Sequence, residues 1–139
     1  MGLVFHYTRK AYDFFRKVSS LVFGSHCSSR ILLTDGNRIL VVDQGSYLEL
    51  PGGAVKPGES FEDAARRETM EETSIDIKVG KRIREKSFGS VLEVMFRAEA
   101  SGDGKPRGSW EGEARWLDID KATGRDWRFD RDIDRLLEK

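Results

Sequence analysis

Residues 52 to 75, GGAVKPGESFEDAARRETMEETSI, constrain the fold more than any other stretch, because a glycine loop runs into a short helix with misplaced acids. Ser60 has the chemistry of an N-cap and Asp63 stands in a capping-box position, so a helix is expected to about Thr73. At roughly 100° per residue, Phe61, Ala64 and Ala65 define an inward stripe, and Glu68, Glu71 and Glu72 fall within about 60° of it. Glu62, Asp63, Arg66 and Met70 point away. Acids on an amphipathic helix normally face water and favour its positive N-terminal end; these sit on the packed side in the C-terminal half. A positive charge has to compensate them.

Glu68 and Glu72 are four apart and Glu71 is three from Glu68, so the side chains can converge beside the helix. Two arrangements meet the requirement. Arg67 can neutralise the cluster as an internal salt-bridge network. Alternatively the acids hold a cation, and oxygen ligands without His or Cys favour Mg²⁺ or Mn²⁺ over zinc.

The spacing resembles the box of the Nudix hydrolases: Gly, five residues, Glu, seven residues, Arg-Glu, an aliphatic, any residue, Glu-Glu, any residue, Gly, an aliphatic. Gly53, Glu59, Arg67, Glu68, Glu71, Glu72 and Ile75 match in register. With roughly one chance in ten per position, the six fixed matches would arise by accident about once in a million windows. Two positions depart. Thr69 stands at the usual aliphatic, and Ser74 replaces the glycine that lets the chain leave the helix through a left-handed conformation, at a cost of about 1 kcal/mol.

The chain has 139 residues, enough for one domain with a real core. Its 24 Lys and Arg balance 24 Asp and Glu, so no overall field recruits nucleic acid or an anionic surface. Cys27 is the only cysteine and cannot form an intramolecular disulfide, and His6 and His26 stand alone without zinc spacing. With no apolar run of about 18 residues and no secretory leader, a soluble cytoplasmic protein is expected.

Residues 1 to 25 are expected to form an N-terminal extension, with Leu3, Val4, Tyr7, Ala11, Phe14, Phe15, Val18, Leu21 and Val22 on one helical face. That face can pack on its own domain or a second copy, giving a homodimer, or lie on a membrane surface. The Nudix-like domain is expected over residues 26 to 139, the resemblance itself covering about residues 28 to 137. After a polar break at residues 24 to 29, Arg30 to Leu33 and Arg38 to Val42 read as a hairpin around Asp35-Gly36-Asn37. Arg30 reads as a solvated strand end, with a substrate phosphate as the alternative contact.

Tyr47 to Leu50 is a short strand entering Pro51-Gly52-Gly53, where missing Cβ atoms let the backbone approach metal and phosphate. Ile75, Ile77 and Val79 alternate as a strand; Val91 to Ala98 is another, containing Leu92, Val94 and Phe96. Lys81 to Lys86 is read as an exposed strand edge or loop, and residues 101 to 108 as a loop whose Lys105 and Arg107 are solvated or meet a phosphate. Trp110 is a candidate for stacking on a base, whereas Trp116 is read as core. Residues 118 to 123 read as a turn, and Phe129, Ile133, Leu136 and Leu137 as one face of a closing helix.

This order predicts an α/β sandwich around a mixed sheet, the fold that the resemblance also implies. By resemblance Glu68 and Glu72 are the principal metal ligands, Glu71 a ligand or general base, Glu59 an auxiliary ligand, and the Gly53 carbonyl a further contact. Glu113, before the strand bearing Trp116, is the alternative base, and Arg67 pairs with the acids and aims them. The implied activity is metal-dependent hydrolysis of a pyrophosphate linkage in a nucleoside diphosphate derivative: a nucleoside triphosphate, a nucleotide sugar or a dinucleoside polyphosphate. A fold that senses a nucleotide without turnover is the competing reading. An RNA-end processing enzyme lacks a visible basic stripe, and no stable nucleic-acid partner is expected.

Overall fold

In the computed structural model, which describes residues 26–107, 112–128 and 133–138, the chain is organised around β1 (His26–Asp35). Its stretch from Ser28 to Leu33 is buried on both faces, the pattern of a strand covered from two sides. β6 (Val91–Ala100) lies parallel along one edge, from His26 opposite Val91 to Leu33 opposite Ala98. The other edge is shared. β4 (Gly52–Ala54) pairs antiparallel with Ser28 to Arg30, while β2 (Arg38–Asp43) pairs with Thr34 and Asp35 and closes the expected hairpin. β5 (Ile77–Phe88) is antiparallel to β6, and β3 (Leu48–Glu49) and β7 (Glu113–Asp118) both pair with β2. Among the described strands β1–β6 is the one parallel pair, and this makes the sheet mixed.

Neighbouring residues of β1 point to opposite faces, and each face has its own core. Ile31 and Leu33 pack with Leu40, Val94, Phe96, Ile75 and Ala65 beneath α1 (Phe61–Thr73). Leu32 packs on the other side with Leu48, Leu50, Met95 and Leu117. That second core is covered by Ala122 of α2 (Ile119–Thr123) and by Ile133 and Leu136 of α3 (Ile133–Leu137). Helices on both sides of a sheet give the α/β sandwich that the sequence predicts.

Two boundaries differ from the sequence reading. His26 to Ser29 belong to β1 rather than to a polar break, because Ser28 and Ser29 are small enough to lie buried between two paired strands, and Ser29 Oγ donates to Phe61 O at 2.7 Å. Residues 119 to 123 form a helix of one turn instead of a plain turn: Ala122 is buried and the Ile119 amide donates to Asn37 O at 2.7 Å. Of the two readings of Lys81 to Lys86, the strand edge holds: they are strand throughout, at the outer position of the sheet order. There the register shifts between Val79 and Arg82 and again before Arg84, a bulged and charged edge that discourages pairing with other chains. The N-terminal stripe, Trp110 and Phe129 lie outside the described residues. Among the described residues no helix is long and apolar enough to cross a membrane.

Candidate active site

The helix that carries the acids starts and stops as its caps dictate. Ser60 Oγ accepts from the Asp63 amide at 3.0 Å. At the other end Ser74 takes the left-handed conformation itself, φ 62° and ψ 16°, and its amide donates to Met70 O at 2.9 Å. The exit usually left to glycine therefore keeps its shape, and the cost falls on stability. Arg107 N–H donates to Thr73 O at 2.7 Å, so residues 101 to 107 are tied to the last turn.

The buried face comprises Ala64, Ala65, Glu68, Thr69, Glu72 and Thr73. Glu68 is 5% and Glu72 2% exposed, so both acids lie on the packed side as predicted. Glu71 does not. Its side chain is 53% exposed, because the centre of the buried face lies nearer Glu72 and Ala65 than the three-residue stripe suggested. Glu71 projects roughly 110° from that centre.

Thr69 brings a hydroxyl into this interior. Its Oγ1 is buried and, among the described residues, has no hydrogen-bond partner. Thr69→Val keeps the shape and removes the unsatisfied group, so unfolding in urea should shift to higher denaturant by an increment worth about 0.5–1 kcal/mol. A lower midpoint would mean that the hydroxyl contributes a bond.

Arg67 stands at the hub of the charged groups. Its Nε and Nη2 donate to the two Glu59 oxygens at 2.8 and 2.9 Å, a bidentate pair, and Nη2 also reaches Ala54 O at 2.9 Å. Nη1 donates to Glu68 Oε1 at 3.0 Å and lies 3.4 Å from both Glu71 oxygens. Glu59 also accepts from the Lys56 amide at 3.0 Å. Hydrogen bonding to Arg67 above all, with the Lys56 amide and despite some desolvation, holds the Glu59 carboxyl down to about 2. Glu68 is pushed the opposite way, since its burial outweighs the contact with Arg67 and the charge of Glu71 adds to the shift. One guanidinium thus satisfies Glu59 well and leaves Glu68 short of positive charge.

The glycine loop supplies the opposing wall. A Cβ on Gly53 would come within 2.6 Å of the Glu68 Cδ, so the carboxylate lies directly against this backbone. The Gly52 amide donates to Glu72 Oε1 at 2.9 Å. Among the described residues no three acid, His or Cys side chains form a ready-made metal cage, and the salt-bridge network around Arg67 is what links the acids. The donor chemistry nonetheless fits a hard divalent cation: two buried carboxylates face a backbone that can approach closely, and added positive charge would oppose the desolvation of Glu68.

The remaining candidates are scattered. Glu113 opens β7 as an exposed residue, and among the described residues no hydrogen bond or ion pair joins it to the helix acids. Arg30 is no solvated strand end: it is 6% exposed, and Nη1 donates to Leu50 O at 2.9 Å and Gly52 O at 3.1 Å. The sequence reading also missed Glu93, which is 4% exposed on β6 while Leu92 beside it is 36% exposed. Its neighbours Arg30 and Arg84 lie on other strands, which explains the burial. Met95, two residues on and on the same face, was the available signal.

Residues 24–138 match the family model of the NUDIX domain. The chain belongs to the Nudix family. It is 33% identical over 93 residues to a putative 8-oxo-dGTP diphosphatase of Bacillus subtilis, an overlap covering 63% of this chain and 62% of that protein. It is 36% identical over 98 residues to an NAD-capped RNA hydrolase of Pseudomonas syringae pv. tomato, covering 65% of this chain and 35% of that one. The chain thus spans between 35% and 62% of the length of such curated relatives. A MutT protein structure from Methanosarcina mazei Go1 shares the fold, with a TM-score of 0.66, 24% identity and coverage of 83% of this chain and 96% of that one.

Proposed function

We propose that this Nudix chain hydrolyses the pyrophosphate linkage of a nucleoside diphosphate derivative in the presence of Mg²⁺ or Mn²⁺. The observation that carries this reading is the burial of Glu68 and Glu72 against the Gly52-Gly53 backbone, with Arg67 committed mainly to Glu59. Glu68 and Glu72 would be the principal holders of the cation, joined by Glu71, Glu59 and the Gly53 carbonyl, and the cation would neutralise phosphate oxygens and acidify a water. Arg67 fixes the direction of Glu68 and ties the helix to Ala54 and Glu59. Gly52 N–H keeps one Glu72 oxygen oriented and leaves the carboxylate its charge. Removal of a proton from the attacking water falls to Glu113 or Glu71, the two acids exposed enough to exchange it with solvent. Trp110 remains the candidate for stacking on the base.

A nucleotide panel decides the reading. It should contain 8-oxo-dGTP, ordinary nucleoside triphosphates, ADP-ribose, a dinucleoside polyphosphate and an NAD-capped RNA, each with Mg²⁺, Mn²⁺ or a chelator. Turnover of at least one compound, abolished by the chelator, is the expected result. Activity unaffected by chelation would sink the proposal. Metal-dependent nucleotide binding without turnover would replace it with a sensing role.

The two candidate bases fail differently. Glu71→Gln should weaken metal binding and recover in part at high Mg²⁺. Glu113→Gln should leave metal affinity nearly intact, slow turnover by about 10²-fold or more, and flatten the acidic limb of the rate against pH. Metal titrations and pH profiles of both variants test this, and the roles exchange if Glu71→Gln is the variant that loses the acidic limb.

A further inference from the structure

The glycine loop is gripped from both faces of the sheet. On the α1 face the Gly52 amide donates to Glu72. On the opposite face the Arg30 side chain runs beneath the loop, so closely that a Cβ on Gly52 would lie 2.9 Å from its Cδ. Its Nη1 holds the carbonyls of Leu50 and Gly52, at 2.9 and 3.1 Å. Pro51 O between them accepts from the Ile31 amide at 2.9 Å. Three consecutive carbonyls are thus fixed by two consecutive residues of β1.

Arg30 is itself held by a buried charge from β6. Glu93 Oε2 lies 3.7 Å from Arg30 Nε, and Glu93 Oε1 accepts from Arg84 Nη2 at 3.0 Å. Burying an arginine is costly unless a carboxylate accompanies it, so the buried Glu93 charge helps keep the guanidinium under the loop. A chain of contacts then runs from Glu93 by an ion pair to Arg30, from Arg30 to the Gly52 carbonyl, and across this one residue to the Gly52 amide that donates to Glu72.

We infer that Glu93 is a positioning residue for the active site: acting through Arg30, it fixes the carbonyls of Leu50 and Gly52 that flank the Pro51–Gly52 peptide, and thereby aims the Gly52 amide and the Glu72 carboxylate that accepts from it. This rests on the proposed hydrolase reading for its kinetic consequence, though its structural consequence stands apart from it. Glu93→Gln keeps the volume and removes the counter-charge. Arg30 is then drawn toward water, and the loop loses its anchor on that face while the rest of β1 and β6 stays paired.

The test combines amide exchange by NMR with kinetics on the whole chain. In Glu93→Gln the Gly52 amide should exchange about tenfold faster or more, whereas Leu33 and Phe96, in the same strand pair and on the face away from Arg30 and Glu93, should stay within about twofold. With the best substrate of the panel, kcat should fall by about five- to tenfold and KM should change by less than about twofold. Adding Glu93→Gln to Arg30→Met should slow kcat by less than a further factor of about two, because the first change has already removed the link. Glu93→Asp, which keeps the charge, should recover part of the protection at Gly52, and it replaces the Gln variant if that fails to fold. Unchanged exchange at Gly52 overturns the proposal whether or not the protein is an enzyme. So does an increase spread equally over Leu33 and Phe96, which would mark general destabilisation, or a multiplicative loss of kcat in the double variant. If no nucleotide is turned over, the exchange result alone decides the positioning role, and only the hydrolase reading fails.

Discussion

Glu72→Gln should give a folded protein that turns over substrate at least about a hundredfold more slowly than the parent, the scale seen when a group stabilising transition-state charge is removed. Glu72 is 2% exposed and accepts the Gly52 amide through one oxygen. Glutamine is of equal size and its carbonyl can keep that bond, so packing and the loop contact survive. What disappears is one negative charge where the proposed chemistry requires a hard anionic ligand. Removing a buried charge need not harm the fold, and the unfolding midpoint should move by an amount worth less than about 1.5 kcal/mol. Steady-state rates at saturating Mg²⁺ and a thermal or urea unfolding curve test both halves. A near-normal rate would show that Glu72 is not a ligand, and an unfolded variant would place its charge among the supports of the fold.

The helix that carries this residue was legible in the sequence because its start, end and spacing are local properties: Ser60 caps it and Ser74 ends it within the expected residue range. Local rules failed where burial is decided by a distant strand. Arg30 reads as a solvated strand end and Glu93 is not singled out, yet the two lie 3.7 Å apart and buried across the β1–β6 pair. Conversely Leu92, which alternates with the buried Val94 and Phe96, is 36% exposed, because the face they share is not covered at that point. Glu71 shows a finer limit. Helical periodicity fixes the angle between side chains, but three residues define the centre of a buried face only loosely, and an error of part of a turn moved this acid from the packed side to the rim. The seat of Arg67 was half-visible: adjacency to Glu68 predicted the pairing, whereas its bidentate grip on Glu59 depends on how the loop after β4 returns to the helix.

Gly52→Ala and Gly53→Ala should separate folding from catalysis within one loop. At Gly52 a Cβ would stand 2.1 Å from Ser29 O and 2.7 Å from the Arg30 Cα, both backbone atoms of β1, and the residue holds φ +145°. Relief requires breaking the β1–β4 pairing, so Gly52→Ala should lose about 3 kcal/mol or more and accumulate largely as misfolded protein. At Gly53 the obstacle is the end of a side chain. The new methyl meets Glu68 Cδ at 2.6 Å and its oxygens at 2.7 and 2.9 Å. Glu68 can swing aside, stretching its 3.0 Å bond to Arg67, and the strand pairing of Gly53 with Ser29 is undisturbed. The stability loss should therefore stay near 1–2 kcal/mol, while a ligand displaced by about 1 Å costs on the order of a hundredfold in rate. Urea unfolding and steady-state rates at several Mg²⁺ concentrations distinguish the two variants. A Gly53→Ala protein with parental rates would show that the Glu68 carboxylate need not lie against this backbone during turnover, and the reading of Glu68 as a principal ligand would fall with it.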